Sequence, residues 1–111
     1  MPQDRSPQKM FTFWKFNFNG RFKKTASENA GREFYSNCFV PEAAKERAKR
    51  DFLVALQAEE IELISIDEEM SLRGDDIDFD DDENLYWIQF YREMEREGQA
   101  VFDVFHIVPD E

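Results

Sequence analysis

An α+β fold is predicted: a single small antiparallel or mixed sheet of about four to five strands with one or two helices packed on one face, ordered strand, strand, helix, strand, helix or strand, strand. Two kinds of periodicity and one feature of composition predict it. Residues 10–18 and 33–40 alternate with the period of a pleated strand, whereas 41–60 repeats apolar residues three and four apart. Twelve phenylalanines, within an aromatic content of 15%, supply the material of a core in spite of a net charge of -11.

The first element, MFTFWKFNFNGRFKK, sets Trp14, Phe16 and Phe18 on one side and Phe11 and Phe13 on the other. Asn19-Gly20 is a strong two-residue turn signal, so strand one is expected over about 10–18. Beyond it the chain either opens a short hairpin or runs as a small, polar loop to about residue 32. Strand two is EFYSNCFV, 33–40, with Phe34, Cys38 and Val40 on one face and Tyr35 and Phe39 on the other.

Pro41 suits the first turn of a helix, and PEAAKERAKRDFLVALQAEE continues with strong helix formers. Ala44, Ala48, Phe52, Ala55 and Leu56 give it an apolar stripe. IELISID, 61–67, then reads as a buried strand, followed at about 68–84 by an acidic loop without periodicity. Residues 85–97 read two ways. As a helix, Trp87, Phe90, Tyr91 and Met94 share a face and Gly98 closes it. As a hairpin turning at Glu97-Gly98, Phe90 pairs with Phe105, Ile88 with Ile107 and Arg92 with Asp103. The hairpin is preferred, with AVFDVFHIV, 100–108, as the last strand in either case. The chain thus divides into a flexible N-terminal tail, 1–9, and one domain, 10–111.

Cys38 is the single cysteine, which excludes an internal disulfide and fits a reducing, cytoplasmic setting. No signal-peptide core or membrane span is legible. The charge is divided between the halves. Residues 1–50 carry 11 Lys/Arg against 5 Asp/Glu, a net +6, and residues 51–111 carry 3 against 20, a net -17. From Glu59 to Glu83 thirteen acids face one basic residue, Arg73.

Enzyme signatures are missing: no Gly-rich phosphate loop, no HExxH, no paired CxxC and no G-x-S-x-G elbow occur. His106, the one histidine, is expected as a partly buried strand residue, and Cys38 as a packed, inert thiol. Asp76, Asp78 and Asp80 have the opening spacing of a calcium loop, but Asp81 stands where that loop needs glycine and Trp87 where it needs glutamate. FWKFNFNGRFKK interleaves aromatics with Lys15, Arg21, Lys23 and Lys24, the mixture that stacks and neutralises a single nucleic-acid strand. Those rings are also needed inside, and the acidic half repels a polyanion.

The expected role is therefore that of a non-enzymatic binding module whose acidic surface engages and inhibits a basic, nucleic-acid-binding protein. An immunity protein or antitoxin covering a nuclease toxin fits, as does a nucleic-acid mimic that blocks a defence protein. The expected partner-binding residues are Glu62, Asp67, Glu68, Glu69, Asp75, Asp76, Asp78, Phe79, Asp80, Asp81, Asp82, Glu83, Tyr86 and Trp87. The acids steer the partner and the three aromatics anchor it. No cofactor, metal, nucleic acid or membrane is expected as a ligand, and the protein is expected as a monomer or homodimer. The alternatives are a metal-dependent enzyme or divalent-cation-binding protein built on the Asp-rich loop and a single-stranded nucleic-acid-binding module built on the N-terminal aromatic and basic segment.

Overall fold

The computed structural model describes residues 10–23 and 30–109, so the expected tail at 1–9 and most of the loop before strand two lie outside the described residues. Within them the chain runs β1 (Thr12–Phe22), β2 (Glu33–Val40), α1 (Lys45–Ala58), β3 (Ile61–Arg73), α2 (Leu85–Glu97), β4 (Val101–Phe102) and β5 (His106–Ile107), with short 3-10 turns at Gly74–Asp76 and Asp82–Asn84. The strands form one antiparallel sheet in the order β3-β1-β2-β4, and β5 also pairs with β2. This is the α+β class and broadly the element order expected.

The helices lie on opposite faces of the sheet rather than together on one. Phe16 and Phe18 of β1 and Phe34, Cys38 and Val40 of β2 bury against Ala48, Phe52 and Leu56 of α1. Phe13 of β1 and Phe39 of β2 point the other way and bury against Phe90, Tyr91 and Met94 of α2. Strands that carry large apolar side chains on both faces need cover on both, since each fully buried Phe left in water would forfeit about 1.5–3 kcal/mol. Stacked rings mark each layer: Phe16 on Phe52 at 4.7 Å between centroids and Phe39 on Phe90 at 4.4 Å.

Three expected boundaries moved, each for a local reason. β1 runs through Asn19-Gly20 without turning. Asn19 is buried and its Nδ2 donates to the Phe34 carbonyl at 2.9 Å, while a Cβ on Gly20 would meet Ile61 Cγ2 at 3.0 Å and the Glu62 carbonyl at 3.2 Å. That glycine permits a close approach between strands instead of a reversal. The connection to β2 is the longer loop, closed by Phe22 N to the Arg32 carbonyl and Gly31 N to the Phe22 carbonyl.

The helix α1 begins at Lys45, not Pro41, because Ala44 is still extended at φ -78 and ψ 128. β3 does not stop at Asp67; it continues to Arg73, pairing Glu68 with Asn17, Met70 with Lys15 and Leu72 with Phe13. The alternation of Met70 and Leu72 against Glu69 and Ser71 continues the strand pattern through the acids. The register slips between Asn17 and Phe18 and again between Asn19 and Gly20, and such bulges bend an edge strand.

The preferred hairpin at 85–97 does not form. The segment is α2, and Gly98 ends it in the left-handed region at φ 69, donating to the Met94 carbonyl. The three- and four-residue spacing of Trp87, Phe90, Tyr91 and Met94 prevails because it gives the second face of the sheet its cover. The last strand runs along β2 in two pieces, interrupted at 103–105, with Asp103 N bonded to the Asn37 carbonyl and Val108 N to the Glu33 carbonyl.

Candidate functional site

The acids of β3 are displayed on a rigid ladder, but the molecule's own cations meet most of them. Glu62 pairs with Arg21 at 3.5 Å and Glu68 with Lys15 at 3.2 Å. Glu69 sits between Lys45 and Lys49 of α1 at 3.0 and 3.3 Å, and hydrogen bonding from Lys45 holds its carboxyl below the usual glutamate range. Asp67 accepts from Ser65 Oγ at 2.9 Å. The basic side of α1 is thus partly occupied in pinning the helix to the strand beneath it.

Beyond β3 the acids behave differently. Asp75 pairs with Arg73 at 2.7 Å, and Asp76 Oδ2 accepts the Arg73 backbone N–H at 3.2 Å. Asp78, Asp80, Asp81, Asp82 and Glu83 are exposed, and no cation of the described residues stands within ion-pair distance of any of them. Their backbone is nevertheless tied down. Asp78 Oδ1 accepts from Asp80 N at 3.0 Å, Asp81 Oδ1 accepts from Glu83 N at 2.9 Å, and Asn84 Nδ2 donates to the Asp78 carbonyl at 3.1 Å. Backbone bonds from Asp81 N to Asp78 and from Asn84 N to Asp81 complete two successive turns. Short side chains that bond their own backbone, together with Phe79 packed against Tyr91, keep this loop in shape.

The aromatics expected as anchors have partners within the fold. Phe79 lies edge-on to Tyr91 at 5.5 Å with the Arg92 guanidinium 5.3 Å from its centroid. Trp87 contacts Phe13 and Phe39 and carries the Lys15 ammonium 5.4 Å from its ring. Tyr86, 37% exposed, donates its hydroxyl to Asp103 Oδ2 at 2.6 Å. Burial and the neighbouring Asp103 carboxylate push the Tyr86 phenol up to about 12.

Tyr86 belongs to a polar chain that the sequence did not disclose. Asn17 Nδ2 donates to Asn37 Oδ1 at 2.9 Å, and Asn37 Nδ2 donates to the Tyr86 hydroxyl at 2.9 Å. Asp103 Oδ1 accepts from Val104 N at 2.6 Å. This row crosses the α2 face of the sheet where α2 leaves it open. Its one sequence signal is that Asn17 and Asn37 stand at strand positions where apolar side chains would be usual.

Other residues weighed from the sequence fall as follows. Cys38 is fully buried, and burial pushes its thiol far above the usual range, so it is the packed, unreactive group expected. His106 is exposed on β5 opposite Tyr35 rather than partly buried. Trp14 donates Nε1–H to the Ala43 carbonyl at 3.0 Å, and Phe16 and Phe18 are fully buried, so the N-terminal rings belong to the core. Among the described residues no three His, Cys, Asp or Glu side chains are arranged to hold a metal ion, and no helix is long and apolar enough to cross a membrane. No protein-family model, no curated protein and no solved structure matches the chain.

Proposed function

We propose that this protein is a non-enzymatic binding module whose acidic surface engages and inhibits a basic, nucleic-acid-binding protein, as an immunity protein, antitoxin or nucleic-acid mimic does. The observation that carries the reading is the segment from Asp78 to Glu83: five exposed carboxylates on a backbone closed by its own hydrogen bonds, without a described cation to neutralise them. Charge held in place raises the association rate of a cationic partner, because no ordering cost follows the encounter. Around it, the acids paired with Arg21, Lys15, Lys45 and Lys49 serve the fold first, which narrows the recognising surface to the turns after β3.

The test is affinity capture from the native host with the wild-type chain and with a variant carrying Asp78, Asp80, Asp81 and Asp82 as Asn and Glu83 as Gln. The expected result is a basic nucleic-acid-binding protein retained by the wild type and lost with the variant, with an association rate that falls steeply as salt rises. Equal retention by both, or a partner that is not basic, overturns the reading.

A further inference from the structure

A groove lies far from those turns, beyond the short edge strand β4. It encloses about 580 Å³, with α1 forming one wall, α2 the other, and residues 98–102 the floor between them. Its apolar surface comes from Val54, Ala55 and Ala58 of α1 and Ala100 and Phe102 of the floor; Val54 is 59% exposed. Five carboxylates line it, Glu42, Asp51, Glu59, Glu93 and Glu97, and no lysine or arginine does.

Backbone electrostatics points the same way as the side chains. α1 ends at Ala58 and α2 at Glu97, so the negative ends of both helix dipoles meet this groove. Helix ends ordinarily carry basic residues, each contributing about 0.3–1 kcal/mol. Here α1 has none in its last turn and is followed by Glu59, and the one such residue of α2, Arg96, pairs with Glu97 at 3.5 Å. The chain accepts this local cost at one place, and the cost is removed if a cation arrives from outside.

We infer that this groove docks a cationic, amphipathic segment of a partner protein, one or two apolar side chains entering over Val54 and Phe102 while flanking lysines or arginines meet the carboxylates and the helix ends. The inference rests on the reading above, that the molecule binds a basic protein, and gives that protein a second point of attachment. The groove and the Asp78–Glu83 turns stand at opposite ends of α2, about 20 Å apart at 1.5 Å per residue, so a single partner can reach both. A basic side chain alone would be steered without being held; the apolar floor supplies the desolvated contact that slows dissociation.

The full-length chain, isotope-labelled, is titrated with a short synthetic peptide carrying leucine and lysine at helical spacing, and with the same composition in scrambled order, at physiological salt. Saturable amide shifts centred on Val54, Ala58, Gly98, Ala100 and Phe102 are expected for the patterned peptide. Val54→Lys, at a largely exposed position, weakens them at least roughly tenfold, while neutralising Asp78 to Glu83 leaves them in place. Shifts centred on Asp78–Glu83 instead, or equal affinity for the scrambled peptide, overturn the groove while leaving the proposed function standing. Equal affinity for spermidine overturns the peptide as occupant, and no binding at all overturns the inference. The host-capture experiment above is decided separately by the turn variant.

Discussion

The Tyr86 hydroxyl donates to Asp103 Oδ2 at 2.6 Å and joins the first residue after β4 to the first turn of α2. It is the shortest of the side-chain bonds that fix α2 on its sheet, and it sits beside the stacked pair Phe39 and Phe90.

Tyr86→Phe removes this donor from the Asp103 carboxylate, which keeps its bond from the Val104 amide, a loss of about 0.5–1.5 kcal/mol in the free energy of unfolding by urea. The wild-type protein also has an alkaline signature. The Tyr86 phenol titrates at about 12 in the fold against 10.0 in the open chain, so the unfolded chain releases that proton first. The stability it contributes is complete below pH 10 and is lost as pH rises from 10 to 12; in the Phe variant this part of the slope is absent.

Glu69 gives the opposite sign. Lys45 and Lys49 hold its folded pKa below the ordinary 4.5, so its contribution is present above that value and is lost as pH falls through the folded pKa. Urea unfolding followed across mildly acidic pH should show a shallower acid limb in Glu69→Gln than in wild type. Identical slopes would mean the two lysines do not bind this carboxylate in solution.

Two glycines mark close approaches. A Cβ on Gly74 would press on the Tyr91 ring, 2.7 Å from Cζ, and lie 2.8 Å from Met10 Sδ; that ring is held by Phe11, Phe13 and Phe79 and bonded to the Phe11 amide. Gly20 has contacts of 3.0–3.2 Å. Gly74→Ala and Gly20→Ala should both destabilise by about 1–3 kcal/mol, with Gly74 the greater, as read from melting temperature or urea midpoint. A neutral Gly74→Ala would show that Tyr91 is free to move.

Cys38 should resist alkylation in the native state and react only as the molecule opens, so that labelling rates follow global unfolding. Labelling at the rate of a free thiol in native buffer would contradict the burial described.

Most of the fold was legible where side-chain period and chain chemistry agreed. β2 and the Ala48, Phe52, Leu56 stripe of α1 are read directly from alternation and helical spacing. The errors arise where a strong local signal met a tertiary demand. Asn19-Gly20 spells a turn, but the β1 ladder to β3 absorbs it; LYWIQFY has strand composition, but Phe13 and Phe39 need a helix above them. Acid density concealed the alternation of Met70 and Leu72, which prolongs β3 to Arg73. For the candidate surface, the position of the acids was legible and their ion pairing was not, since Lys45 and Lys49 meet Glu69 only once α1 lies on the sheet. The groove was illegible for the same reason: its walls come from helices far apart in the chain.

The division of the aromatic residues between two faces leaves one tryptophan in each: Trp14 beside the α1 layer and Trp87 in the α2 layer. The molecule therefore carries a separate optical reporter for each half of its interior. With Trp14→Phe and Trp87→Phe in turn, fluorescence distinguishes a domain whose layers melt as one, giving superimposable curves, from one in which α2 peels away while α1 stays seated.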